Sequence, residues 1–170
     1  ADLGLQGSDL RAAERTFQLM RQVAGRAGRT GRKGLALLQT YQPEHPVIRA
    51  ILSGDEEGFW RAEAAERKAA GVPPYGRMAG IVLSSPELQQ VFDLGAEMAR
   101  RDEPLRRIGA QVFGPAPAPI ARIRGRHRVR LLVKAEKTAP LQAALRQWAG
   151  QFKLPSNMRL QIDIDPQSFF

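Results

Sequence analysis

Hydrophobic positions along the chain follow two different spacings. In the first part, apolar residues recur every three or four positions, which is typical of one face of a helix. The clearest case is the predicted helix at 8–24, whose stripe contains Leu10, Ala13, Phe17, Met20 and Ala24. Shorter helices are predicted at 45–52 and 55–70, and the run LALLQTY at 35–41 predicts a short, largely buried strand.

Two adjacent prolines separate this part from the next. Pro73 and Pro74 cannot continue a helix, because proline lacks the amide hydrogen and clashes with the preceding turn. A domain boundary is therefore predicted near 71–76. The predicted domains are 1–72 and 73–170.

The second part alternates between strand and helix spacing. Its predicted elements are strands at 78–84, 108–113, 126–135 and 158–164 and helices at 86–101 and 141–152. The proline-rich run GPAPAPI at 114–120 predicts an extended connection. Two strand-helix-strand units indicate an α/β chain of the α+β type. The expected fold is a ferredoxin-like βαββαβ domain with both helices on one face of an antiparallel sheet.

Charge adds a candidate partner to this picture. The chain has 26 Lys and Arg against 17 Asp and Glu, and its net charge is +9. The segment 100–137 holds eleven of these bases and only three acids, so the excess is local. A polyanion, most often nucleic acid, is the favoured partner, and a solvated basic surface is the alternative.

Other site types find little support in the composition. Without cysteine the chain can form neither a disulfide nor a thiolate metal site, and its two histidines, His45 and His127, are too far apart in sequence to suggest a metal cluster. No apolar run reaches about 18 residues, and the first residues do not resemble a signal peptide. No metal site in this chain and no membrane partner are therefore expected.

The sharpest motif is Q-x-x-G-R-x-G-R, formed by Gln22, Gly25, Arg26, Gly28 and Arg29. The two arginines are three positions apart and would point the same way from a helical turn. Guanidinium groups match phosphate oxygens in pairs, and glycine lets a nucleotide approach the backbone. The alternative is a basic helix end whose arginines complement the helix dipole.

This motif resembles motif VI of superfamily-2 helicases. The longer strings DLRAAERTFQLMRQVAGRAGR, GPAPAPIARIRGRHRVRLLVK and LQIDIDPQSFF resemble the PriA family of replication-restart helicases. The resemblance implies that 1–72 is the end of a RecA-like second helicase lobe and that 73–170 is the family's C-terminal domain. A different superfamily-2 helicase with a similar motif VI is a further possibility, against which the second domain argues.

The resemblance also implies a function. It implies an ATP-dependent 3′-to-5′ DNA helicase that restarts stalled forks and assembles the primosome, located in the bacterial cytoplasm with the nucleoid. Arg26 and Arg29 would be catalytic, stabilising the ATP phosphates, and Gln22, Gly25 and Gly28 would help to bind ATP. The ATP and Mg²⁺ would be held mostly by a first lobe, since the chain has no phosphate loop and no acidic magnesium motif. The family's zinc ligands are cysteines, which are absent here. A non-catalytic DNA- or SSB-binding module is the alternative.

A row of basic residues in the second domain is the candidate nucleic-acid surface. We call it the basic strip: Arg122, Arg124, Arg126, Arg128, Arg130 and Lys134. Side chains alternate along a strand, so the arginines at 126, 128 and 130 would share one face at roughly 6.6 Å spacing, opposite the core residues Val129, Leu131 and Val133. Such a row binds phosphates without reading bases. Docking on other domains and plain solvation remain alternatives.

Two smaller sites complete the expectations. Asp163 and Asp165 would share a strand face and form salt bridges with arginines, rather than a metal or acid-base pair. The PriA resemblance implies a site for the acidic C-terminal tail of single-stranded DNA-binding protein (SSB), where Gln142 matches a family glutamine. Thr138 stands where the family has an arginine, which Lys137 would replace.

Overall fold

The structure is a computed structural model and describes residues 11–27 and 35–166. The chain divides into two compact units, Ala1–Glu66 and Arg67–Phe170. The first unit is helical in its described part, and the second contains a four-stranded sheet.

Three helices make up the described part of the first unit, α1 (Ala12–Ala27), α2 (Pro46–Ser53) and α3 (Glu56–Ala70), whose end extends past residue 66. The helices predicted at 45–52 and 55–70 are confirmed. Hydrogen bonds from side chains explain where these two helices begin. The His45 Nδ1 atom accepts a hydrogen bond from the Val47 amide, and Asp55 Oδ1 accepts one of 2.8 Å from the Gly58 amide.

Aromatic packing joins these helices. The rings of Phe17 on α1 and Phe59 on α3 stack with centroids 4.2 Å apart, and Trp60 meets both rings edge-on. Val47 of α2 completes the buried cluster. A salt bridge of 2.8 Å between Arg21 and Glu56 borders it. The first unit therefore has a small core of its own.

The strand predicted at 35–41 is wrong. These residues form no strand, and Leu35, Leu37 and Tyr41 are 81%, 90% and 93% exposed. A strand needs a partner for its amide and carbonyl groups, and the described residues of this unit contain no other strand.

The second unit has the predicted ferredoxin-like βαββαβ fold. Its elements are β1 (Gly76–Ser85), α4 (Leu88–Arg100), α5 (Glu103–Arg106), β2 (Gln111–Ile123), β3 (Arg126–Glu136), α6 (Leu141–Ala149) and β4 (Arg159–Ile164). The sheet order is β2-β3-β1-β4, and each neighbouring pair is antiparallel. The helices α4 and α6 contribute to one core against the sheet.

That core is centred on the inward residues of β1 and β3. Ile81, Leu83 and Val129 are fully buried, as is Trp148 of α6. The Trp148 indole donates a hydrogen bond of 3.1 Å to the Met98 carbonyl, which lies in the last turn of α4 where carbonyls lack a helical partner. This bond links the two helices inside an apolar environment.

Several boundaries differ from the prediction. The connection expected at 114–120 is part of β2, which begins at Gln111 rather than at 108. β2 is an edge strand, where prolines are tolerated, and its pairing with β3 shifts register twice. The short helix α5 was not predicted. α6 ends at Ala149 rather than at 152, although Phe152 still packs on Trp148 edge-on.

Asp165, which follows the end of β4, binds the beginning of β1. Its Oδ1 atom accepts a hydrogen bond of 2.9 Å from the Met78 amide, and its Oδ2 atom forms a 2.7 Å salt bridge with Arg77. The backbone φ of Asp165 is +50°. The salt-bridge interpretation is thus confirmed for Asp165. The shared strand face with Asp163 is wrong, because the chain turns between the two residues.

Candidate nucleic-acid interface

The face of the sheet opposite the helices carries the arginines of β3. Val129, Leu131 and Val133 point into the core, and Arg126, Arg128 and Arg130 occupy the alternate, half-buried positions. The predicted alternation is therefore present. We call the side without helices the open face.

Register extends the basic surface beyond β3. Arg128 is the strand partner of Ser84, which is in turn the partner of Arg159 on β4. Partners in an antiparallel pair share a face, so Arg128 and Arg159 lie on the open face with Ser84 between them. Arg159 was not predicted as part of the surface, although its position in the alternating run RLQIDI could have identified it. Asp163 is on the same face, as the partner of Gly80.

Arg126 is used for internal contacts. Its Nη2 atom donates hydrogen bonds of 2.7 Å to the Ser84 carbonyl and 2.8 Å to the Asn157 carbonyl. A guanidinium group bound to two backbone oxygens has fewer donors left for a ligand. Arg128 has a weaker contact with the backbone, a hydrogen bond of 3.2 Å from Nη1 to the Ile120 carbonyl.

The remaining arginines of the basic strip lie at the tip of the β2–β3 hairpin. Ile123 pairs with Arg126, which leaves Arg124 and Gly125 as a two-residue turn with φ of +48° and +76°. Positive φ at both positions is typical of a type I′ turn. Arg122 pairs with His127 across the hairpin. The even spacing in the sequence therefore does not continue in space: Arg122 belongs to β2, on the face opposite to that of Arg126.

Lys134 lies near the other end of β3. It lines a groove of about 480 Å³ together with Tyr75, Gln111, Lys137 and Thr138. Lys137 and Thr138 are exposed in the connection between β3 and α6, and Gln142 is exposed on the first turn of α6. The structure thus places the two residues of the expected SSB site in one short stretch, at the surface.

Part of the Q-x-x-G-R-x-G-R motif falls within the described residues of the first unit. Gln22, Gly25 and Arg26 are exposed on the second half of α1, and a side chain added at Gly25 would meet no atom within 4 Å. Gly28 and Arg29 lie outside the described residues. Gln22 and Arg26 are four positions apart and so share one side of the helix.

Neither a metal cluster nor a membrane helix is found in the described chain. Residues 11–27 and 35–166 hold no group of three or more His, Asp or Glu side chains that could bind a metal ion. No helix in these ranges combines the length and apolar character required to cross a bilayer.

Comparison with known proteins identifies the second unit. The family model of the Primosomal protein N C-terminal domain matches residues 68–167. The chain belongs to this family. The resemblance to PriA inferred from the sequence is confirmed, and the start of the family match lies close to the start of the compact unit at Arg67.

Relatives of this primosomal domain cover the first unit as well. The chain is 39% identical over 170 residues to the replication restart protein PriA of Rickettsia conorii, covering 100% of this chain and 26% of the relative. With the PriA of Treponema pallidum it shares 36% identity over 166 residues, 98% of this chain and 25% of the relative. With the PriA of Bacillus subtilis it shares 32% identity over 169 residues, which are 98% of this chain and 21% of the relative. The chain thus spans about a quarter of the length of these relatives.

Proposed function

We propose that the chain is the C-terminal part of an ATP-dependent 3′-to-5′ DNA helicase that restarts stalled replication forks and assembles the primosome. The observation that carries this proposal is the alignment of all 170 residues with a replication restart protein. A location in the bacterial cytoplasm with the nucleoid belongs to the same proposal.

The second unit would bind the DNA backbone. Five arginines and no acids lie between residues 120 and 130, and Arg159 adds a positive charge on the open face near Arg128. Phosphate contacts fix the position of a protein on DNA without reading sequence. None of the seven Phe, two Tyr and two Trp lies among these arginines, so base stacking of the kind used by single-strand binders has no support.

The first unit would contribute to the ATP site. Arg26 is exposed and permanently charged, and it shares a side of α1 with Gln22. Arginines directed at a transferring phosphoryl group stabilise its developing charge. Arg26 and Arg29 would have this role, with Gln22, Gly25 and Gly28 near the nucleotide. The phosphate cradle and Mg²⁺ would come from the longer protein, because the chain lacks a phosphate loop.

Two further partners belong to this proposal. The acidic tail of SSB would bind near Lys137 and Gln142, where exposed donors stand beside the groove at Lys134. Other primosome proteins would assemble on the longer protein. Any zinc would be held there by cysteines outside this chain.

The ATP-site proposal is tested in the longer protein. Arg26→Ala and Arg29→Ala are each expected to abolish DNA-stimulated ATP hydrolysis while leaving DNA binding intact. Arg61→Ala is the matched control, because it removes an exposed arginine of α3 that forms a surface ion pair with Glu57, four residues away. Full ATPase activity in both motif variants would reject the catalytic role. It would favour the alternative, a DNA- or SSB-binding module without catalysis.

A further inference from the structure

The turn of the β2–β3 hairpin holds an arginine where the backbone favours other residues. A two-residue turn with positive φ at both positions strongly prefers Asn, Asp or Gly at the first position. The Cβ atom of other residues clashes with the backbone there, whereas glycine has no Cβ and Asn and Asp offset the cost by local hydrogen bonds. Arg124 nevertheless adopts a φ of +48°, followed by Gly125 at +76°. Sparsely populated backbone conformations persist where the surrounding structure holds them, and they cluster at binding sites.

The side chains at this tip are available to a ligand. Arg122, Ile123 and Arg124 are all exposed. Within residues 11–27 and 35–166, neither Arg122 nor Arg124 makes a hydrogen bond or an ion pair, in contrast to Arg126 and Arg128. The pairs Arg122–His127 and Ile123–Arg126 continue the ladder up to the turn, so the two free guanidinium groups sit on an ordered support.

Arg126 supplies much of that support. It begins β3, and its bonds to the carbonyls of Ser84 and Asn157 attach the base of the tip to the end of β1 and to the loop before β4. The arginines of the basic strip therefore differ in their surroundings: some bind the protein's own backbone, and two extend from the tip.

We infer that the hairpin tip is the DNA-contacting element of this domain, in which Arg122 and Arg124 bind backbone phosphates and Arg126 is a positioning residue. The inference rests on the proposed DNA-binding function and specifies its site. Phosphodiester is the ligand chemistry favoured here, because the eleven residues from 120 to 130 contain five arginines and no acid. An acidic surface on another domain of the longer protein is the competing occupant.

Arg124→Asn gives the sharpest test, because it removes the charge and leaves the residue pair most favoured in this turn, Asn-Gly. Its unfolding temperature is expected to equal or exceed that of the wild type. Its affinity for a labelled duplex of arbitrary sequence should fall. Between 50 and 200 mM salt, the wild type should lose about three to four times more affinity than the variant, as expected for one lost phosphate contact.

Two further variants complete the experiment. Arg122→Gln combined with Arg124→Asn should flatten the salt dependence by about two phosphate contacts. Lys153→Gln is the charge-matched control, since it lies in the loop after α6 beside α4 and should leave binding unchanged apart from a small uniform effect. Fluorescence anisotropy titrations with the 170-residue chain provide the measurement.

The outcomes distinguish a failure of the hairpin assignment from a failure of the proposed DNA-binding function. If the chain binds DNA and Arg124→Asn binds with the same affinity and salt dependence as the wild type, the hairpin assignment is overturned while DNA binding stands. If Arg124→Asn instead exposes new protease sites in the longer protein without changing its DNA affinity, the tip docks on another domain and the assignment is likewise overturned. If the chain binds no DNA even at low salt, the proposed DNA-binding function fails as well.

Discussion

The guanidinium group of Arg126 donates a hydrogen bond of 2.8 Å to the backbone oxygen of Asn157, 31 residues later in the chain. A second bond from the same nitrogen reaches the Ser84 carbonyl. One side chain thus connects the beginning of β3, the end of β1 and the loop that leads into β4. Its position in an alternating basic run does not distinguish it from its neighbours, but its contacts do.

Replacing Arg126 with alanine should therefore destabilise the fold. We expect the free energy of unfolding to fall by about 1–2 kcal/mol, because hydrogen bonds from a charged donor to two carbonyls are lost at a partly exposed site. Urea denaturation of the chain measures this. Arg126→Lys should recover only part of the loss, since one ammonium group does not reproduce the planar guanidinium fork. An unchanged midpoint in Arg126→Ala would contradict the positioning role.

Asp165 should stabilise the end of the sheet through both carboxylate oxygens. Asp165→Ala is expected to cost about 1–2 kcal/mol, because the Met78 amide loses its acceptor and Arg77 loses its ion pair. Asp165→Asn should cost less, since its amide oxygen can still accept from Met78 and asparagine tolerates the positive φ. Chemical denaturation of the two variants provides the comparison. Equal losses in both would mean that the ion pair, and not the backbone bond, accounts for the effect.

The buried indole of Trp148 should also contribute to the stability of the fold. Trp148→Phe removes the donor to the Met98 carbonyl and leaves part of the indole volume empty, so the free energy of unfolding should fall by about 2–4 kcal/mol. Thermal unfolding followed by circular dichroism measures the loss. Phe152→Leu is the control, because it keeps an apolar side chain beside Trp148 without touching the hydrogen bond. A smaller effect for Trp148→Phe than for Phe152→Leu would contradict the importance of this bond.

Most of the second unit could be predicted from residue spacing alone. The alternation of Val129, Leu131 and Val133 with arginines fixes which face of β3 is buried, and the order of strands and helices then favours one sheet topology. Such predictions succeed because strand periodicity and burial are local properties of the sequence. At 35–41 the same reasoning failed, because strand formation also depends on a partner that the apolar run itself cannot supply.

The details of the candidate site were beyond sequence reasoning for a different reason. Arginines occur at every second position from 122 to 130 in the sequence. The two-residue turn at Arg124 and Gly125, which the spacing does not reveal, places Arg122 on a different strand from Arg126. The bonds of Arg126 depend on Ser84 and Asn157, which are distant in sequence. Spacing predicted which face of β3 carries arginines but could not assign separate roles to the members of the basic strip.

The prolines of β2 have a consequence for the solution behaviour of this domain. Pro115, Pro117 and Pro119 occupy every second position of β2, which pairs with β3 and lies at the edge of the sheet formed by the described residues. Without amide hydrogens at these positions, this margin of the sheet cannot offer an uninterrupted ladder of donors to an incoming strand. Cross-β stacking of neighbouring molecules is thereby opposed on the β2 side, which favours the domain remaining dispersed at high concentration even though Ile120 and Ile123 face the solvent nearby.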